Sequence, residues 1–245
     1  MVNQGSPVPR LVAIQSLSQH FVDESGKDFE LKPHYRHPND EEPPNVEMVP
    51  IVRELLALVE TSTGIIGFNH VLIQKYRDGK DNIQMHSDKT LDLSLSTPIV
   101  NLSIGAERMM KLRKKENKSN TQLIPLRHLE CVVFGLQTNQ YWYHEVPKKM
   151  DIDPHPVFGY ERISFTFRKV ETFIAVPEKS NGDEFIIIGQ GSPYGNLADY
   201  YSKGRESSND CINDRTLLIN AFSKENKLHE TFNWKEVYGG GFLCR

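Results

Sequence analysis

The stretch ERISFTFRKV, residues 161–170, alternates strictly between two kinds of side chain. Strand side chains point to opposite faces with a period of two, so Arg162, Ser164, Thr166 and Arg168 share one face and Ile163, Phe165 and Phe167 the other. The two arginines are about 20 Å apart along such a strand, and long side chains leaning together would grip both ends of a short dicarboxylate. Guanidinium groups suit that task because they bind carboxylates bidentately and keep their charge. Two surface arginines on an edge strand are the plainer reading, but the arginines share their face with the hydroxyl residues.

Outward from this strand the chain reads as a series of short strands. They are HVLIQKY (70–76), IQMHSD (83–88), TPIVNLSIG (97–105), RMMKLRKK (108–115), LECVVFGL (129–136) and QYWYHEV (140–146), separated by Gly, Asn, Asp and Pro turns. That is the pattern of a sandwich or barrel. Before them, VEMVPIVRELLALVETSTG (46–64) carries Val52, Leu55, Leu56 and Val59 at helical spacing and predicts a helix stopped at Gly64. Residues 1–45 are polar, end in HPNDEEPPN and read as a loosely structured arm with one short hairpin. From 171 to 245 the texture changes to FIIIGQG, a polar loop to about Asn213, then RTLLINAF and NWKEVYGGGF. This tail is too apolar to be disordered and is expected to pack back on the sheet. The organisation expected is one domain over 1–245: arm 1–45, β core 46–170 and C-terminal extension 171–245.

Composition narrows the class. The 245 residues carry 25% charged and 38% hydrophobic side chains with a formal net charge of −3, a globular balance with no bulk attraction to polyanions. The three cysteines, Cys131, Cys211 and Cys244, are scattered without a CxxC, which argues against a disulfide framework and for a reducing compartment. The N-terminus lacks a signal-peptide pattern, and no apolar run approaches the roughly 18 residues of a membrane span. An intracellular protein, cytoplasmic or nuclear and without membrane contact, is therefore expected.

Within IQMHSD, period two puts His86 and Asp88 on one face, and His144 in QYWYHEV offers a second imidazole. Two imidazoles and a carboxylate on one face of an octahedral ion leave three positions open, the arrangement of non-haem Fe(II) oxygenases. A lone HxD is more often an ordinary loop pair; the arginine strand is what makes the metal reading the better one.

Taken together, VLIQKYRDG, HSD, PIVNLSIGA, WYH and RISFTFR, in that order from about Phe68 to Val170, resemble the AlkB-type Fe(II)/2-oxoglutarate dioxygenases. The resemblance implies a mainly β, double-stranded β-helix (jelly-roll) core with flanking helices and, here, a C-terminal extension. It implies Fe(II) held by His86, Asp88 and His144, and 2-oxoglutarate and O₂ as cosubstrates. Arg168 would pair with the 1-carboxylate of 2-oxoglutarate, Arg162 with its 5-carboxylate, and Tyr76 would hydrogen-bond it. PRL at 9–11 resembles the start of the family's substrate lid.

The departures concern the substrate. Gln74 and Ser164 stand in the cosubstrate pocket where repair members of the family carry Asn. Thr90 stands where they carry an acidic base reader, and the arm offers only His20 and Phe21 as stackers for a flipped base. These features favour C–H oxidation of a small metabolite or amino-acid-like molecule over a nucleic acid. The alternative is oxidative demethylation of N-alkylated bases in DNA or RNA; a vestigial, non-catalytic jelly-roll binding module is a third reading. The run Arg108, Lys111, Arg113, Lys114, Lys115 and Lys118 would suit phosphates, but reads first as a solvated hairpin. GQGSPYG (189–195) lacks the Lys and Ser/Thr of a phosphate-binding loop. The remaining histidines, His34, His37, His70, His128, His155 and His229 among them, read as structural or surface residues.

Overall fold

The strand Arg162–Arg168 lies inside a six-stranded sheet, antiparallel to His70–Tyr76 on one side and Ile99–Gly105 on the other. The structure, a computed structural model, describes residues 2–3, 6–37, 40–41, 43–178, 184–203 and 210–244. In chain order the first elements are β1 (Val2–Asn3), β2 (Ser6–Pro7), β3 (Leu11–Ser16), β4 (Gln19–Val22), β5 (Asp28–Pro33), β6 (Asp40–Glu41), β7 (Asn45–Glu47) and α1 (Pro50–Thr63). Next come β8 (His70–Tyr76), β9 (Ile83–His86), β10 (Ile99–Gly105), β11 (Arg108–Lys114), β12 (Thr121–Leu126), β13 (Cys131–Phe134), α2 (Leu136–Tyr141), β14 (Trp142–Val146) and β15 (Arg162–Arg168). The extension adds β16 (Thr172–Pro177), β17 (Ile186–Gly189), α3 (Leu197–Lys203), α4 (Asp210–Lys227) and α5 (Trp234–Tyr238).

The large sheet runs β13-β10-β15-β8-β3-β7, and a four-stranded sheet runs β12-β11-β14-β9. These are the two sheets of a double-stranded β-helix. Alternation on β15 sorts its side chains as the sequence reads. Phe165 and Phe167 pack with Val71, Val100 and Leu102 against Val52, Leu56 and Val59 of α1, while the polar face turns to a cavity. Each fully buried aliphatic side chain contributes about 1.5–3 kcal/mol, so this face anchors β15 and fixes where its arginines emerge. Helix α1 starts with Pro50 in its first turn and ends at Gly64 in the left-handed region (φ 70°). A second cluster, with Leu93, Ile99, Met110, Leu112, Phe134 and Val146, fills the space beside the cavity.

The arm is more ordered than its sequence suggests. The hairpin is present as β4–β5, but β3 also pairs along its whole length with β8. LVAIQS is short and flanked by polar residues; its ladder comes from a partner some sixty residues away, which no local pattern reveals. Strand β5 in turn accepts β16 of the extension, giving an antiparallel four-stranded sheet, β17-β16-β5-β4, built from arm and extension. The stretch QYWYHEV is a strand only from Trp142, because Gln140 and Tyr141 finish α2. Part of the polar loop expected up to Asn213, and the side chain of Cys211, lie outside the described residues. Among those residues no helix is long and apolar enough to cross a membrane.

GQGSPYG is a packing device. Gly189 adopts φ 101°, and a Cβ on Gly191 would collide with Arg36, Asp92 and Thr172. Its carbonyl accepts from Arg36 Nη2 at 2.7 Å, inside a buried network where Arg36 also pairs with Asp92 (2.6 Å) and donates to the carbonyl of Phe242 (2.9 Å).

Candidate active site

β9 and β14 are neighbours, and their register sets His86 directly opposite His144. The imidazole centroids are 4.2 Å apart. Asp88 follows two residues beyond β9's imidazole, and ligand atoms of His86, Asp88 and His144 all lie within 4.8 Å of one another. Among the described residues this is the one cluster of three or more such side chains. His86 Nδ1 is 2.8 Å from the carbonyl of Gln84. A carbonyl only accepts, so Nδ1 carries the proton and Nε2 keeps its lone pair for an ion.

The protonation states fit a metal. Burial, reinforced by the neighbouring His86, pulls His144 down to about 3. Burial also lowers His86, so both rings are neutral donors near pH 7. Burial alone would raise Asp88, but Arg168 first, then His144 and His86, outweigh it and hold the carboxyl well below its usual range. Asn139 of α2 fixes the Asp88 backbone from both sides: its Oδ1 accepts Asp88 N–H (2.9 Å) and its Nδ2 donates to Asp88 O (2.8 Å). A cavity of about 610 Å³ opens beside the triad, within the usual range of about 300–1,000 Å³ for ligand sites.

All four polar residues of the β15 face line this cavity, together with Gln74 and Tyr76 of β8. Arg162 is fully buried. Its Nη2 donates to Asn101 Oδ1 (3.1 Å) and Ser103 Oγ (2.8 Å), whereas Nε and Nη1 are buried with no hydrogen-bond partner among the described residues. Burial, with Arg108 nearby, lowers this guanidinium to about 10, so it stays charged at neutral pH. A buried cation that lines a cavity, with two donors unpartnered among the described residues, is costly unless an anion completes it. A carboxylate of 2-oxoglutarate fits that requirement.

Arg168 meets the triad directly. It donates to Asp88 Oδ2 from Nη2 (2.8 Å) and Nε (3.2 Å), over the ring of Tyr35 at 4.8 Å. Tyr76 has the guanidinium carbons of Arg162 and Arg108 over its ring at 5.2 and 5.6 Å. With its amide oxygen turned toward Arg10, Gln74 accepts from Arg10 Nε (2.9 Å) and Nη2 (3.2 Å). Val8, Pro9 and Arg10 line the cavity, so the PRL segment does reach the site.

Sequence reasoning passed over four supporting residues. Tyr35 accepts Lys89 N–H at 2.9 Å, and His37, edge-on to Tyr35 at 4.6 Å, lines the cavity. Burial lowers His37 to about 4. Asn139 carried no spacing signal. Asn101 did, inside PIVNLSIGA: its Nδ2 donates to Ser164 Oγ and Thr166 Oγ1 (both 2.8 Å). The amide missing at Ser164 is supplied from the next strand. The expected stackers His20 and Phe21 lie on β4, exposed, and do not line the cavity. Thr90 does not line it either; its hydroxyl donates to Glu225 Oε1 at 2.6 Å.

The family model of the 2OG-Fe(II) oxygenase superfamily matches residues 5–168. The chain belongs to this superfamily. Its cofactor set, Fe(II), 2-oxoglutarate and O₂, suits the donor set and the idle arginine just described. The chain is 34% identical over 138 residues to the DNA oxidative demethylase ALKBH2 of Bos taurus, covering 52% of this chain and 45% of the relative. It is 35% identical over 135 residues to the alpha-ketoglutarate-dependent dioxygenase alkB homolog 3 of Homo sapiens, covering 52% and 45%. The chain thus spans about half the length of the curated relatives it matches. A solved structure described as "The structure of OsALKBH1" aligns with 13% identity and a TM-score of 0.44 over 66% of this chain and 78% of its own.

Proposed function

We propose that the chain is an Fe(II)/2-oxoglutarate-dependent dioxygenase that oxidatively demethylates N-alkylated bases of nucleic acids. The similarity to relatives named as demethylases carries the substrate class. In this reading His86, Asp88 and His144 hold the iron, and Arg162 takes a carboxylate of 2-oxoglutarate. Arg168 orients both Asp88 and the cosubstrate, and Tyr76, Gln74 and Ser164 border it. Iron and 2-oxoglutarate supply O₂ activation, with succinate and CO₂ as coproducts. An N–CH₃ group becomes N–CH₂OH, which breaks its C–N bond to give N–H and formaldehyde.

Two observations remove the grounds for preferring a small metabolite. Thr90 is turned away from the cavity and satisfied by the extension, so the lack of an acid there says nothing about what the cavity reads. A cavity-lining aromatic is also available in His37, with Met85 and Pro9 as apolar neighbours along the lining. Part of the basic run is engaged within the protein, with Arg108 and Lys115 buried and Lys118 exposed. Arg108 is buried on the carbonyls of Asp78, Asp81 and Pro147. Arg113 pairs with Glu145, Lys114 with Glu116, and Lys115 lies over Tyr143. Base recognition in the cavity would leave the exposed part of this hairpin to position the nucleic-acid backbone. The test is succinate release with N-methylated single-stranded oligonucleotides beside a panel of amino acids and other small metabolites. Stimulation by methylated oligonucleotides supports the proposal; stimulation by metabolites alone overturns it.

A further inference from the structure

The segments that carry the triad are tied together by one turn of a helix outside residues 5–168, the part matched by the superfamily model. Helix α4 presents Glu225 and Asn226 to them. Asn226 Oδ1 accepts from Ser87 Oγ at 3.2 Å and from Lys89 Nζ, so it holds residues on both sides of Asp88. The Asn226 carbonyl accepts from Tyr143 Oη at 3.3 Å, next to His144. Glu225, 5% exposed, accepts from Thr90 N–H (3.0 Å) and Oγ1 (2.6 Å) through Oε1. Its Oε2 accepts from Tyr238 Oη at 2.6 Å and lies 3.9 Å from Lys89 Nζ. One turn therefore bridges the HSDKT segment and β14, the two pieces of chain that supply the ligands.

We infer that the Glu225–Asn226 turn is a positioning element of the metal centre, through which the C-terminal extension sets the spacing of His86, Asp88 and His144. Partners beyond the ligands fix ligand orientation, and removing one typically weakens metal binding about 10–100-fold. The helix also packs on Leu91 through Leu218 and Phe222, so packing alone is the competing explanation. The two separate because packing involves no polar contact with the ligand segments. The inference rests on the ligand assignment proposed above.

The test is Mn(II) binding to the full-length, metal-free protein by titration calorimetry, with thermal unfolding measured alongside. Asn226→Ala is expected to weaken Mn(II) binding about 10-fold or more, and Asn226→Asp, which keeps the acceptor, to stay within about threefold of wild type. Tyr143→Phe, a milder change that removes one hydroxyl, is expected to weaken binding in the same direction. Leu218→Ala is expected to lower Tm and leave Mn(II) affinity within about threefold. Wild-type affinity in both Asn226→Ala and Tyr143→Phe overturns the inference. So does an equal loss in Leu218→Ala, which would assign the effect to packing. If wild type itself does not bind Mn(II), the ligand assignment fails and this inference with it; binding by wild type that Asp88→Asn loses keeps the two questions apart.

Discussion

Arg168 donates to Asp88 across 2.8 Å, with 3% and 6% of the two side chains exposed. The polar face of β15 and the loop that carries Asp88 are thereby one electrostatic unit. Arg168, together with His144 and His86, outweighs the burial that would otherwise raise Asp88, and its two donors fix the carboxylate's direction. Arg168→Met is expected to weaken Mn(II) binding about 10-fold, with Arg168→Lys intermediate because a point charge replaces a two-point contact. Calorimetry on the metal-free protein decides it; wild-type affinity in Arg168→Met would show that the pair does not prepare the ligand.

Arg162 should behave differently. Its Nη2 is held by Asn101 and Ser103, while Nε and Nη1, without a hydrogen-bond partner among the described residues, are the donors an anion would use. Arg162→Met is expected to raise the KM for 2-oxoglutarate by about 10- to 100-fold, the loss of a charged hydrogen bond or two, with Mn(II) affinity unchanged. Unfolding free energy should fall by no more than about 1 kcal/mol, since the variant also removes a poorly compensated buried charge. An unchanged KM would remove Arg162 from the cosubstrate site.

The Arg36–Asp92 pair, both 1% exposed, joins the arm, the loop after the triad and the carbonyls of Gly191 and Phe242. Asp92→Ala leaves a buried guanidinium without its counter-charge, a loss of about 3–5 kcal/mol. Urea unfolding followed by far-UV dichroism measures it; a loss under about 1 kcal/mol would contradict the account.

Lys115 supplies a pH dependence whose sign can be worked out. Burial lowers it from 10.5 to about 8, so between about pH 8 and 10.5 the unfolded chain holds a proton that the folded chain has released. Stability from this group is therefore lacking below pH 8 and rises through that window, by about 3 kcal/mol at most at ~1.4 kcal/mol per unit. Lys115→Met should be more stable than wild type at pH 7, with the difference shrinking toward pH 10.5. A pH-independent difference between the two proteins would refute the shift.

What was legible in the sequence was whatever obeys a local period. Alternation in RISFTFR placed four residues on one face and three on the other, the faces that line the cavity and pack in the core, and the spacing of Val52, Leu56 and Val59 with Gly64 bounded α1. His86 and Asp88 were readable two apart; their meeting with His144 was inferred through resemblance, because β9–β14 pairing is a long-range fact. Asn139, Tyr35 and the Glu225–Asn226 turn left no signal, since each acts through one side chain brought from a distant segment. Thr90 was legible only by its position for the same reason: its hydroxyl donates to a carboxylate 135 positions along the chain.

The measurement closest to the central claim is formaldehyde release, counted against succinate, from an N-methylated single-stranded oligonucleotide. Purified wild type and Asp88→Asn would be supplied with Fe(II), 2-oxoglutarate and O₂. The account predicts one formaldehyde per substrate-coupled succinate in wild type and neither product above background in Asp88→Asn. Succinate formed without formaldehyde from any methylated oligonucleotide, or equal turnover by Asp88→Asn, would contradict it.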